Sequence, residues 1–283
     1  GDVISYISTW PQVAAEFNNS PVYGMQMYNK IPFKTFVQPI EDKFKENAAL
    51  AAALFDTVKN SMKCSMQNTI SIGNSLPTVW DTKTGNGSEI NAILYMMLSS
   101  AGLRVTPVLM HTTFTNNDNT PASLEQFNRL IVRVELDDNV IVMLDASNPN
   151  NVYNLLPKEF IGKNGFKISR SKPFYEWIPV NAGEYYSKSL LINEKLNPDR
   201  TVAGTALCRF SNYAMLDYRD RTSQSETLRF KYYNTPGIVI SAIEPKPLTG
   251  NSCSDLVSFT ATPMQEAEGN FIYVPVRFNE FTE

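Results

Sequence analysis

Between residues 86 and 101 the apolar side chains recur at Ile90, Ile93, Leu94, Met97, Leu98 and Ala101. Steps of three and four put them on one helical face, a stripe wide enough to be buried. Asn86 stands ahead of the stripe as an N-cap, with Glu89 three residues on to close a capping box. Gly102 stands where the chain leaves the helix. The period then shortens. Strands are predicted over 105–113, 127–136 and 140–145, with Asp137-Asp138-Asn139 as a tight hairpin between the last two. A second helical pattern spans 41–63 through Phe44, Ala48, Ala51, Phe55, Val58 and Met62, helped by a run of alanines. The spacing predicts a short helix over 11–17, followed by an irregular arm to residue 40. The stretch 64–83 has little periodicity and reads as a loop. Trp80 lies in it just ahead of the central helix, as the wall of a cleft or as a core plug.

Past Asp145 a strand is expected over 165–169, and Trp177-Ile178-Pro179-Val180 closes the first domain. A boundary falls at 181–183. Beyond it the pattern predicts strands at 189–196, 201–210, 238–243, 256–262 and 271–278, with Asn197-Pro198-Asp199 as a turn. A helix is predicted at 213–221, with Ala214, Met215 and Tyr218 inward, and 226–233 reads as helix or strand, with helix favoured. The expected class is α+β: an arm over 1–40, a core of helices against an antiparallel sheet over 41–182, and a smaller β-rich domain over 183–283.

Composition narrows the functional classes. The 283 residues are 43% hydrophobic and 19% charged, as in ordinary globular proteins. The net charge is −3 and no basic run is present, which argues against nucleic acid as a partner. No apolar run is long enough to span a membrane. Cys64, Cys208 and Cys253 have no metal-ligand spacing, and no cofactor or metal is expected. Cys208 and Cys253 are either a bonded pair or separate buried thiols. Asn116-Asn117-Asp118-Asn119 lacks the pattern of a calcium loop and reads as a solvated connection.

The segments Gly85-Asn86-Gly87, Ala101-Gly102-Leu103, Pro107-Val108-Leu109, Gln126-Phe127-Asn128-Arg129 and Leu144-Asp145-Ala146 follow one another in a distinctive order. Together they resemble the core of the transglutaminase-like superfamily, the papain-related Cys–His–Asp group. They look most like the branch found in large secreted proteins of Bacteroides-type bacteria. The resemblance implies a nucleophilic Cys in the first turn of the central helix, a His on the next-but-one strand and an Asp after it. Here Gly87 stands in the place of the Cys and Arg129 in the place of the His; only Asp145 remains. The resemblance further implies an exported protein, periplasmic or cell-surface, with an upstream β-rich domain that this chain lacks.

Glycine offers no nucleophile, and an always-protonated arginine has no acceptor to serve as general base. Ordinary acyl transfer is therefore not expected. Three readings follow. The first is a pseudoenzyme that binds a protein, peptide or glycan, with Trp80, Asn86, Ser88, Glu89, His111 and Asn128 around the vacated site. The second is a hydrolase of altered chemistry using Ser88 and His111, the one histidine of the chain. The third is a purely structural module. If the alignment holds, Arg129 and Asp145 form an ion pair on one sheet face, glycine at 87 makes room for the longer arginine, and the helix N-terminus with Arg129 either attracts an anion or is neutralised by Asp145.

Overall fold

The computed structural model describes residues 8–29, 33–199, 201–246 and 251–261, together with two short paired segments, Ala267–Glu268 and Phe271–Ile272. The chain divides into two compact units, Gly1–Gly183 and Glu184–Glu283. Both combine helices with antiparallel sheets, so the class is α+β.

The first unit runs α1 (Trp10–Asn19), α2 (Lys34–Lys43), α3 (Asn47–Ser61), β1 (Lys63–Cys64), α4 (Leu76–Thr82), β2 (Thr84–Gly85), α5 (Gly87–Ser100), β3 (Arg104–Met110), β4 (Arg129–Glu135), β5 (Ile141–Leu144), β6 (Lys163–Ile168) and β7 (Tyr175–Val180). The last five strands form one sheet in the order β5-β4-β3-β6-β7. Its helix-side face carries Leu109, Leu130, Val132 and Val134, which share a core cluster with Ile90, Ile93, Leu94, Met97 and Leu98 of α5. The opposite face carries Val108, Met110 and Ile131, packed with Leu156, Phe160 and Val180. Burying each large aliphatic side chain of α5 contributes about 1.5–3 kcal/mol, so this helix is the pin of the unit.

Its ends follow from local chemistry. Asn86 and Glu89 form the reciprocal capping box. At the other end Gly102 has φ +78°, and Leu103 N donates to Leu98 O while Gly102 N donates to Ser99 O. That is a Schellman closure, which needs the left-handed conformation glycine adopts without a Cβ penalty.

Two departures from the sequence pattern lie ahead of α5. The single helix expected over 41–63 is two helices, α2 and α3. Phe44 between them is extended (φ −116°, ψ 109°) and packs partly buried on the core. It is thus a core contact made by a break rather than a member of a helical row. The stretch 64–83 also contains a helix, α4, which has Ser75 at its N-cap position and carries Pro77 in its first turn. Asn116, expected in a solvated loop, is buried: its side-chain amide Nδ2 donates to Gln126 O, and Asn164 Nδ2 donates to its main-chain carbonyl.

In the second unit β8 (Tyr186–Leu196) and β9 (Val202–Asn212) are followed by α6 (Tyr213–Thr222), α7 (Glu226–Tyr232), β10 (Ile238–Lys246) and β11 (Ser252–Ala261). The sheet order is β10-β11-β9-β8, antiparallel throughout. Ala214, Met215 and Tyr218 are buried; the Tyr218 hydroxyl donates to the buried Asp255 carboxylate, and the Tyr233 hydroxyl donates to the same oxygen at 3.0 Å. Cys208 and Cys253 are both free. In the ladder Cys208 faces Asp255 and Cys253 faces Phe210. The cysteines are diagonal neighbours two residues out of register, about 7–8 Å apart by sheet geometry and beyond ordinary disulfide reach. The expected strand at 271–278 lies mostly outside the described residues. Among the described residues no helix is long and apolar enough to cross a membrane.

Candidate functional site

The first turn of α5, the start of β4 and the residues just past β5 converge at one end of the sheet. Val132 pairs with Leu144, and alternation puts Ile131 and Met143 on the face away from α5. Arg129 and Asp145 share that parity. Arg129 Nη2 donates to Asp145 Oδ2 at 2.8 Å, and both side chains are buried. The ion pair expected between these positions is present.

The pair is held from several sides. Asp145 Oδ1 accepts from Asn91 Nδ2 at 2.9 Å and from Ser147 N at 3.0 Å. Asn91 also donates to Leu130 O and accepts from Ala146 N, both at 2.8 Å. One side chain of α5 thus ties β4 and the end of β5 to the helix. The guanidinium lies over Phe160 at 5.3 Å, reaches Asn68 Oδ1 at 3.3 Å, and has a second carboxylate, Glu159, at 3.8 Å. Arg129 Nε and Ser147 Oγ are buried without a hydrogen-bond partner.

The space in front of Gly87 is not open, and the arginine does not fill it. A Cβ built at Gly87 would stand 2.7 Å from the backbone oxygen of Gln67 and 3.3 Å from Ser147 Cβ. The segment 64–74 crosses the helix N-terminus as a strap, and its main chain supplies the acceptors. Ser65 N donates to Gly85 O, and Gly87 N to Met66 O, each at 2.8 Å. The Ser88 hydroxyl donates to Thr69 O, and Asn86 Nδ2 donates to Ser71 O at 2.9 Å. Farther along, Asn74 donates to Glu89 Oε1 from both its backbone and its side chain, at 2.8 Å each. Glu89 N donates to Asn86 Oδ1 and Asn86 N to Glu89 Oε2. The N–H groups of residues 86, 87 and 89 are therefore committed inside the chain. An anion at this helix N-terminus is not supported, and glycine at 87 is explained by the close passage of the strap, not by arginine.

The other expected site residues separate from this cluster. Ser88 is fully buried and bound to Thr69; among the described residues no hydrogen bond joins it to His111. His111 Nδ1 accepts from Thr113 N at 2.9 Å and Phe114 N at 3.2 Å, and the ring stacks on Phe114. Burial and the nearby Lys163 cation both hold its pKa down. Asn128 closes the same loop, pairing with Thr112 through both amide atoms. Trp80 is a core residue, edge-on to Phe33 and Phe36. Asn86 and Glu89 form the helix cap. The ring of cleft residues expected around position 87 does not form.

Cys64 pairs in register with Gly85 and so lies close to the cluster. Burial pushes its thiol pKa up, and the Asp145 carboxylate adds to this against the pull of Met66 N–H and Arg129. A thiol so disposed is a poor nucleophile at neutral pH. Among the described residues no group of three His, Cys, Asp or Glu side chains comes together to hold a metal.

No family model matches the chain, and no curated protein matches it. Among solved structures it is similar to a crystal structure from Parabacteroides distasonis ATCC 8503, described as a candidate protease. The identity is 13% over 89% of this chain and 52% of that one, with a TM-score of 0.44. The chain spans about half the length of that protein.

Proposed function

We infer that this chain is a transglutaminase-like, papain-related module without acyl-transfer activity, retained for binding or interaction within a larger exported protein. The sequential motifs support the family, and the exported setting follows from the same resemblance. The observation that carries the loss of activity is the closure at Gly87. The place of the nucleophile is a glycine pressed under the Gln67 carbonyl, and the place of the base is a guanidinium locked to Asp145. Neither group can attack a carbonyl or take a proton. The Ser88–His111 hydrolase loses its support because each group is engaged elsewhere.

The test is an assay of primary-amine incorporation into a glutamine-rich protein, run beside a peptide-cleavage assay. Wild type, Cys64→Ala and Ser88→Ala are compared. All three are expected at the level of buffer. Turnover by wild type that disappears in either variant would overturn the reading.

A further inference from the structure

Away from the strap, two cavities of the first unit meet at one side chain, Arg170. One, about 460 Å³, has Pro11, Ala15 and Phe174 among its walls. The other, about 490 Å³, is bordered by Tyr28, Tyr95 and the last turn of α5 at Ser99 and Ser100. Each is of the size that takes a small ligand or a pair of side chains. Arg170 borders both. Its guanidinium lies over the Tyr28 ring at 4.6 Å, which fixes the head group at the junction. Tyr28 is itself held by a hydrogen bond to Asn18 Oδ1 at 2.6 Å, and Asn18 holds Ser169 O at 3.1 Å.

The charge around this junction is one-sided. No Asp or Glu lines either cavity among the described residues. No described carboxylate pairs with Arg170 or with Lys172 two residues on, although the chain as a whole is acidic. An arginine has five N–H donors in a planar fork suited to a carboxylate. Here that fork is preorganised on an aromatic face, and among the described residues no hydrogen-bond acceptor is paired with it. Phe174 beside it is 42% exposed, a large apolar side chain left uncovered on the wall of the first cavity.

We propose that this paired groove binds an acidic peptide, with a peptide carboxylate on Arg170 and a neighbouring apolar side chain against Phe174, Pro11 and Ala15. Phe174, Pro11 and Ala15 give the first cavity an apolar wall that suits an aliphatic side chain next to the carboxylate, while Asn18 and Asn19 there and the hydroxyls of Ser99 and Ser100 in the second cavity suit the polar main chain of a peptide. A single guanidinium suits one carboxylate; a phosphate would draw on a cluster of arginines. The proposal deepens the binding role inferred above and rests on it.

The experiment uses the full chain and fluorescein-labelled peptides of alternating Asp and Leu, with a Lys-for-Asp counterpart and an oligogalacturonate as comparators. Anisotropy is expected to rise saturably with the Asp–Leu peptide alone. Affinity should fall at least tenfold in Arg170→Gln and in Phe174→Ala, less in Arg170→Lys, and not at all in Lys45→Gln, a remote exposed cation. Unchanged thermal unfolding of Arg170→Gln keeps a folding defect from mimicking lost binding. Equal binding by wild type and Arg170→Gln, preference for the saccharide or the basic peptide, or no saturation with any probe would overturn the proposal. None of these outcomes touches the acyl-transfer assay, so the inactivity of the Gly87 site stands or falls separately.

Discussion

Asp145 carries three contacts at once, and the arginine beside it changes what they are for. In water the pair would contribute little; buried, each charge depends on the other. Arg129→Met leaves the Asp145 carboxylate without its cation and is expected to cost about 3–5 kcal/mol, as for other broken buried pairs. Asp145→Asn made on top of it removes the stranded charge while keeping an oxygen for Asn91 and Ser147. The double variant should therefore recover part of the loss in urea unfolding; additive losses would mean the charges are not coupled. Gly87→Ala is expected to lose about 1–3 kcal/mol by overpacking, because the new methyl meets the Gln67 carbonyl. The pairing of Arg129 with Asp145 was legible from the order of the motifs and the resemblance they carry. Asn91 was not singled out, although a lone amide in the buried run Ile90-Asn91-Ala92-Ile93 is itself the signal of a buried polar anchor. The strap gave no signal, because it acts largely through main-chain carbonyls, which every residue carries.

At the scale of elements, α5 was readable from end to end because period, cap and terminating glycine agree. The capping box is expected to be worth about 1 kcal/mol, with Asn86→Ala losing between roughly 0.5 and 2; urea midpoints measure this directly. Helices α2 and α3 share one apolar pattern in the sequence because Phe44 fits the helical row by spacing, yet it reaches the core from an extended linker. Spacing alone does not distinguish the two. The connection from β3 to β4 offers a pH test. His111 Nδ1 accepts two backbone N–H groups, a role only the unprotonated nitrogen can fill, and burial with Lys163 lowers its pKa. The unfolded chain, with a His pKa near ~6.5, then binds more protons than the native state between the depressed value and that one. Stability should fall as pH drops through this window and level off below the depressed value. The difference in unfolding free energy between pH 7.5 and 5.5 is expected to shrink in His111→Gln. An unchanged difference would show that other groups carry the acid sensitivity.

For the whole molecule the question is whether the two units are separable in solution. The segment Trp177-Ile178-Pro179-Val180 led to an expected boundary at 181–183, and the chain divides into compact units between Gly183 and Glu184. The physical basis is the run 181–187, in which every residue is exposed and Tyr185 is 85% so. A segment with no side chain committed to either core is where a protease finds extended backbone. Of the helices of the second unit, α6 was legible because Ala214, Met215 and Tyr218 repeat at helical spacing, whereas α7 buries no side chain and its pattern suits helix or strand. What the pattern could not supply was their anchor, the Asp255 carboxylate under Tyr218 and Tyr233, since tyrosine at these positions also suits a strand. With that anchor the second unit has a buried polar lock of its own as well as an apolar core. Brief chymotrypsin treatment of the native protein is therefore expected to cut first after Tyr185. It should yield two fragments that each unfold cooperatively, the smaller one keeping its tyrosines shielded in near-ultraviolet circular dichroism. First cleavage at Phe114, an exposed aromatic in the long connection between β3 and β4, would place the weakest point inside the first unit. Loss of the tyrosine signal on release would mean that the lock does not hold without residues 1–183.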